Sequence, residues 1–364
     1  MRHHANTRDF WLELRIHRRT SGHHRLAERQ TTTERSNPLE TGMDIIKTAV
    51  IQHACGPDKA TNLAAGLAAI AEAASTGAHL AVLQELHTLS YFCQTEDPAH
   101  FDLAEPLDGA SATALAQAAA RHRIVIVASL FERRLSGLYH NTAIVFDRDG
   151  RCAGCYRKMH IPDDPGFYEK FYFTPGDHSF QPVDTSIGRL GILVCWDQWF
   201  PEAARLMALA GARILIYPTA IGWDPRDDTA EQQRQRQAWE TIQRAHAIAN
   251  ALPVVVANRC GFEPCATSPA TGIRFWGSSF LCGVQGELLA QAGVDEPAVI
   301  TAELDLRRTE SVRRMWPFFR DRRIDAYHGL LERCRDDPAG DARTGNTRSA
   351  PGSSARTNRQ GSDR

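Results

Sequence analysis

No stretch of this 364-residue sequence reaches the roughly 18 uninterrupted apolar residues that a membrane helix needs. No sign of charge prevails either: 42 Lys and Arg stand against 43 Asp and Glu, a formal net charge of −1. The molecule as a whole therefore has no electrostatic bias toward nucleic acid or anionic membrane. Residues 1–42 contain no apolar core of a secretion signal and are rich in Arg, His and Thr. Met43 directly precedes the first strand-like run, so 1–42 are expected to be an extension outside the fold. Mixed charges argue against its being a basic nucleic-acid arm. Disulfide patterning is absent too, because the nine cysteines are odd in number and scattered. A reducing cytoplasm is the compartment this implies. Residues 334–364 are poor in large apolar residues and rich in Gly, Ser and Arg, the composition of a disordered tail.

What remains, residues 43–333, has an ordinary globular composition and alternates short apolar runs with longer Ala-rich amphipathic stretches. Strands are expected at Ile45–Ile51, Leu80–Leu83, Ile124–Phe131, Ile187–Val194, Ile214–Tyr217 and Val254–Ala257. Helices are expected at Lys59–Thr76, Ala112–Arg121, from Pro201 to about Ala210, and at Glu231–Asn250. Hairpins are expected at Tyr139–Lys158 around Asp149-Gly150, and at Ser278–Ala290 around Gly286-Glu287. Strands alternating with helices predict α/β architecture, and the interleaved hairpins predict mixed sheets. No internal repeat is visible.

Three residues stand where strands end. Cys195 follows the run Gly191-Ile192-Leu193-Val194 and precedes a helix opened by Pro201. That turn exposes a nucleophile beside backbone N–H groups, and a helix N-terminus favours the thiolate. Glu85 ends Leu80–Leu83, and Lys158 ends the hairpin strand that begins at Cys152. Singly, each is more often a buried thiol, a solvated carboxylate or a surface lysine. Together, three strand ends are able to converge on one rim of a sheet.

The segments around these residues resemble the nitrilase (carbon–nitrogen hydrolase) superfamily, and within it the N-carbamoylputrescine amidase branch. They are Ala81-Val82-Leu83-Gln84-Glu85-Leu86, Tyr156-Arg157-Lys158-Met159-His160-Ile161-Pro162, Phe171–Asp177, Val194–Glu202, Tyr217–Gly222, Phe275–Phe280 and Phe319–Arg323. Seven segments in family order span about Met43 to Tyr327. The resemblance implies a single-domain, four-layer α-β-β-α sandwich that assembles into homo-oligomers through helices near the active site. It also implies a Glu–Lys–Cys triad of Glu85, Lys158 and Cys195, with Glu169 as an auxiliary glutamate orienting the lysine. Covalent hydrolysis of an amide is expected, with Trp196 supplying a backbone N–H to the oxyanion and with no metal or organic cofactor required.

The stretch after the nucleophile, Trp196-Asp197-Gln198-Trp199-Phe200, contains no arginine to bind a substrate carboxylate. An aliphatic chain ending in an ammonium group suits it better, with Asp163, Asp164 and Asp224 as candidate counter-charges. The expected small-molecule partner is thus a carbamoylated amine, N-carbamoylputrescine foremost. The alternatives are another linear amidase or carbamoylase of the same fold and, more remotely, a non-catalytic scaffold. Ile221-Gly222-Trp223-Asp224-Pro225 departs from the Gly-Ser-Glu-Pro form of some members, which leaves the exact amine open. Other signals carry less. Cys152-Ala153-Gly154-Cys155 lacks the second pair of a zinc site, and His53, His79, His87, His160 and His246 lack ligand spacing. The basic run at Arg313, Arg314, Arg320, Arg322 and Arg323 is interrupted by Asp321 and Asp325. With Trp316, Phe318 and Phe319 it suits a packing or subunit-contact segment.

Overall fold

The computed structural model describes residues 43–335 apart from Pro225. The expected extension at 1–42 and all of the expected tail beyond Arg335 lie outside the described residues.

The first half runs β1 (Ile45–Gln52), α1 (Lys59–Ser75), β2 (Leu80–Leu83), α2 (Ala110–His122), β3 (Val125–Leu135), β4 (Leu138–Phe146) and β5 (Cys152–Arg157). After the short helix α3 (Glu169–Tyr172) come β6 (Val183–Thr185), β7 (Gly188–Ile192), α4 (Pro201–Leu209), β8 (Ile214–Pro218), β9 (Gly222–Trp223), α5 (Thr229–Asn250) and β10 (Val254–Ala257). The chain closes with β11 (Phe262–Cys265), β12 (Ser268–Phe275), β13 (Phe280–Cys282), β14 (Leu288–Gln291), β15 (Ala298–Asp305) and α6 (Arg307–Met315). Local chemistry sets the helix ends. Asp58 accepts from the Thr61 N–H ahead of α1, and Asp228 accepts from the Glu231 N–H ahead of α5. Pro201 opens α4, where a missing N–H costs nothing.

Two six-stranded mixed sheets result, in the orders β15-β1-β2-β3-β4-β5 and β14-β13-β10-β8-β7-β6. Within them β1, β2 and β3 are parallel, as are β7, β8 and β10. Each parallel trio continues into an antiparallel hairpin and is flanked on its other side by an antiparallel edge strand. The two halves thus share one topology that the residue pattern did not disclose. Their edge strands are exchanged: β6 follows β5 in the chain but pairs with β7, while β15 follows β14 but pairs with β1.

Strand alternation builds the layers. Ile46, Val50, Leu80, Val82, Val125 and Val127 share a core with Ile192, Ile214, Ile216 and Val254–Val256 of the facing sheet. Intervening residues such as Ala49, Ile51, Ala81 and Ile126 pack instead against Ile70, Ala73 and Leu115 of α1 and α2. On the outside of the second sheet, Ala203 and Met207 of α4 and Trp239 and Ala247 of α5 complete the stack. The architecture is the expected four-layer α-β-β-α sandwich.

The structure adds elements that the sequence reading lacked. A small third sheet, β11-β12-β9, rises from a Gly- and Pro-containing stretch, and β15 and α6 follow it. The expected strand Ile187–Val194 is shorter, spanning Gly188–Ile192; the Leu193 N–H still donates to the Ile216 carbonyl at 3.0 Å before the chain enters a 3-10 turn at Cys195–Trp199. The C-terminal basic run is engaged in packing. Arg205 and Arg313 both lie over the Phe319 ring, 4.8 and 4.5 Å from its centroid.

One glycine tests the closeness of the packing beside the site. Gly277 has φ +48, and a Cβ built there would stand 1.9 Å from the Val294 carbonyl oxygen. Gly137, in the β3–β4 turn, has φ +78 with nothing within 4 Å. Gly137→Ala is expected to cost only the ~1–2 kcal/mol of left-handed backbone. Gly277→Ala adds the clash with Val294 and is expected to cost clearly more, as read from urea midpoints of the two variants.

Candidate active site

Glu85, Lys158 and Cys195 all stand just beyond strand ends, but they do not come from one sheet. β2 and β5 run in the same direction in the first sheet, so Glu85 and Lys158 emerge at the same rim. Cys195 follows β7 of the facing sheet. The convergence is therefore between two sheets rather than along the rim of one. Both turns use left-handed backbone at non-glycine residues, with φ +48 at Leu86 and +44 at Cys195. Cross-sheet bonds hold the turns together, as the Glu85 N–H donates to the Thr219 carbonyl at 3.3 Å.

At the centre is a chain of buried ionisable groups. Lys158 Nζ donates to Glu85 Oε1 at 2.9 Å and to Glu169 Oε2 at 2.6 Å. All three side chains are essentially inaccessible. Two of the three ammonium protons are thereby committed, and one remains. Asn141 Nδ2 donates to Glu85 Oε1 at 2.6 Å, and its own Oδ1 accepts from Ser129 Oγ at 3.0 Å. Tyr91 Oη donates to Glu169 Oε1 at 2.7 Å. Glu85 Oε2, though buried, has no hydrogen-bond partner among the described residues.

These contacts set the charges. Burial pulls the Lys158 pKa down, but Glu169 and Glu85 outweigh it and hold the ammonium protonated well above the usual lysine range. Burial pushes the Glu169 carboxyl up to about 7, against the opposing pull of Lys158. Burial also raises the Cys195 thiol well above its ordinary value; Glu85 adds to the rise and Lys158 opposes it. The expectation that a helix N-terminus favours the thiolate is thus overturned. Cys195 opens a short 3-10 turn, α4 begins only at Pro201, and desolvation beside a carboxylate dominates. A neutral thiol in this setting needs a base.

The cluster opens into a cavity of about 490 Å³ whose wall includes Glu169, Cys195, Trp196, Trp199, Trp276 and Asp164. The candidate counter-charges fare differently. Asp163 is exposed and does not line this cavity. Asp224 lines it but is paired with Arg226. Asp164 lines it with a buried Oδ1 that has no partner among the described residues. Two further wall carboxylates escaped the sequence reading: Glu231, held by Arg234 at 2.6 Å, and Asp227, which accepts from Gln235 Nε2 at 3.0 Å. Arg234 also lines the cavity, so an arginine reaches it from α5 even though none follows Cys195 directly.

The match to known proteins fits this geometry. The family profile described as carbon-nitrogen hydrolase matches residues 47–314. This chain belongs to the carbon–nitrogen hydrolase family. Its members are hydrolases of non-peptide carbon–nitrogen bonds, and so is this chain. An N-carbamoylputrescine amidase of Solanum tuberosum is 41% identical over 288 residues, 79% of this chain and 95% of that protein. A citrullinase of Francisella tularensis is 39% identical over 289 residues, 79% of this chain and 99% of that one. A crystal structure of a carbon–nitrogen hydrolase from Helicobacter pylori G27 superposes with a TM-score of 0.78 at 54% identity, covering 80% of this chain and all of that one.

Asn141 and Tyr91 were missed by sequence reasoning. A signal did exist for Asn141, since His140-Asn141-Thr142 places three polar residues inside an otherwise apolar strand. Tyr91 left none.

The buried cluster predicts a pH-dependent penalty. Lys158→Met leaves two buried carboxylates without their cation, which is expected to cost ~3–5 kcal/mol at alkaline pH. Without the cation, the Glu169 carboxyl, already raised by burial, moves further above its unfolded value. The folded protein then binds more protons than the unfolded one as pH falls, so part of the loss returns on acidification. Urea unfolding of variant and wild type at acid and alkaline pH measures it; a pH-independent difference would contradict this account.

Proposed function

We propose that this chain hydrolyses N-carbamoylputrescine to putrescine, carbon dioxide and ammonia through a covalent intermediate on Cys195. Glu85 acts as general base, using Oε2, the carboxylate oxygen that Asn141 and Lys158 leave unengaged. It takes the thiol proton as sulfur attacks the ureido carbon. The remaining Lys158 proton and the Trp196 N–H stabilise the oxyanion; one such donor is typically worth ~10²–10³ in rate. Glu169 keeps the ammonium oriented between two carboxylates. Glu85 then protonates the leaving amine, and water, activated by the same carboxylate, releases the carbamoyl group as carbon dioxide and ammonia.

The observation that carries the amine assignment is Asp164. Among the carboxylates of the cavity wall it alone keeps a buried oxygen without a partner, while Asp224 and Glu231 are neutralised by arginines. A half-buried carboxylate with one buried, unpartnered oxygen in the wall of a tryptophan-lined cavity suits a chain terminating in ammonium. The N-carbamoylputrescine amidases at about 40% identity support the same assignment.

A second reading is a ureido amino acid such as citrulline, whose carboxylate needs a cation. Arg234 in the cavity wall favours it, as does the citrullinase relative. Against it, that guanidinium is already committed to Glu231.

A homo-oligomer is supported by exposed apolar residues on α4, α5 and the C-terminal segment, including Leu206, Leu209, Ile248, Phe318 and Leu330. A cytoplasmic site of action is supported by the absence of any disulfide among the described residues. No helix among them is long and apolar enough to cross a membrane.

The test is ammonia release from N-carbamoylputrescine and from citrulline by wild type, Cys195→Ala and Asp164→Asn. Activity on the amine, abolished in Cys195→Ala, is expected. Asp164→Asn should raise KM about 10–100-fold with kcat little changed, the scale of one charge-assisted hydrogen bond. Preference for citrulline, or an unchanged KM in Asp164→Asn, would overturn the amine assignment.

A further inference from the structure

Arg259 is one of the largest fully buried side chains, with none of its surface exposed, yet it does not line the cavity and the chemistry above makes no use of it. It stands two residues past β10. Its Nη2 donates to the carbonyls of Glu85 and Leu86, both at 3.0 Å, and its Nη1 donates to the Leu89 carbonyl at 2.8 Å. Three carbonyls of the single turn that follows Glu85 thus converge on one guanidinium. The same Nη1 meets Glu263 Oε1 of β11 at 2.6 Å, and Glu263 Oε2 accepts the Tyr91 N–H at 2.5 Å. Tyr91 is the residue whose hydroxyl ends on Glu169.

We propose that the Arg259–Glu263 pair is a positioning element of the active site, fixing Glu85 through its backbone and Glu169 through Tyr91. The inference rests on the reading of Glu85 as base and Glu169 as the group that orients Lys158.

Three physical features suit the Arg259–Glu263 pair to this role. The turn it braces is left-handed at Leu86, a conformation that needs outside support at a non-glycine residue. A buried guanidinium is costly unless its donors are used, and here four acceptors take up the Nη1 and Nη2 donors, three of them in that turn, while Nε has no partner among the described residues. Arginine's fixed fork places several N–H groups at once, which a lysine ammonium does not reproduce. Glu85 and Glu169 both hold the Lys158 ammonium, so one remote ion pair bears on the position of both. The phenylalanine ring of Phe275, 5.3 Å from the guanidinium carbon, covers the cation.

The test compares Tyr91→Phe, Glu263→Gln and Arg259→Lys with wild type in two assays. One is kcat and KM for N-carbamoylputrescine; the other is the rate of Cys195 alkylation by iodoacetamide as a function of pH, normalised to folded protein. Tyr91→Phe removes only a hydroxyl, so it keeps the test decisive if Arg259→Lys folds poorly. Misplacement of this kind is expected to lower kcat and the alkylation rate about 10–100-fold with KM nearly unchanged. In Tyr91→Phe the acid limb of the profile is expected to move to higher pH, because a hydrogen bond that stabilises ionised Glu169 is lost. A purely structural role would lower the folded fraction and leave kcat per folded site and the position of the limb unchanged; that result would overturn the proposal. Alkylation needs no carbamoylated amine, so that arm judges the positioning even if N-carbamoylputrescine proves to be the wrong substrate.

Discussion

Removing a lysine and two glutamates from water together is expensive, and the interior returns that cost only when each charge finds its partners at hydrogen-bond distance. Lys158 between Glu85 and Glu169 meets the condition: Asn141 shares the Glu85 oxygen that Lys158 holds, Tyr91 satisfies the outer oxygen of Glu169, and Glu85 Oε2 alone is left open. Much of the surrounding structure reads as support for this one cluster. β4 presents Asn141 between the strands that deliver Glu85 and Lys158. The loop after β2 carries Tyr91, and the second sheet brings Cys195 up against the group. The electrostatic result is a site that keeps its ammonium charged and its thiol neutral until a base acts on it.

Asp197 ties the two sides of the cluster together in the same way. Its carboxylate accepts from the Val194 N–H just ahead of Cys195, and from Tyr156 Oη, the His160 N–H and the His160 ring on the chain around Lys158. His160 in turn stacks on Phe200 with ring centroids 3.8 Å apart. One buried carboxylate thus joins the nucleophile's turn to the lysine's strand, and the two sheets meet at a fixed distance.

The sequence carried much of this and hid the rest for definable reasons. Strands with continuous apolar runs, such as Ile214–Pro218 and Val254–Ala257, announce themselves because both faces are buried. Glu85, Lys158 and Cys195 stand out as reactive residue types placed where such runs stop, and they are neighbours in space as that placement suggests. Glu169 was legible only through the family resemblance. Arg259, Glu263 and Tyr91 were not legible, since a polar residue bracing a backbone turn from a distant strand leaves no periodic trace. β15 was missed because its half-buried face mixes Thr and Glu with Val and Ile. The duplicated topology was missed because it lives in strand direction and order rather than in residue identity. Asp163 and Asp164 are adjacent in sequence, and only their exposure separates them.

The exchanged edge strands bear on how the chain is made. β1 leaves the ribosome well before one of its two neighbours, β15, which lies some two hundred and fifty residues downstream. Until Ala298–Asp305 emerges, the first sheet is left with an open, unpaired edge on a nearly fully buried strand. Such an edge is a template for pairing with the wrong chain. Nascent copies on one messenger are therefore at their most vulnerable late in translation, and the last strand of the sandwich acts as the closure that ends that exposure.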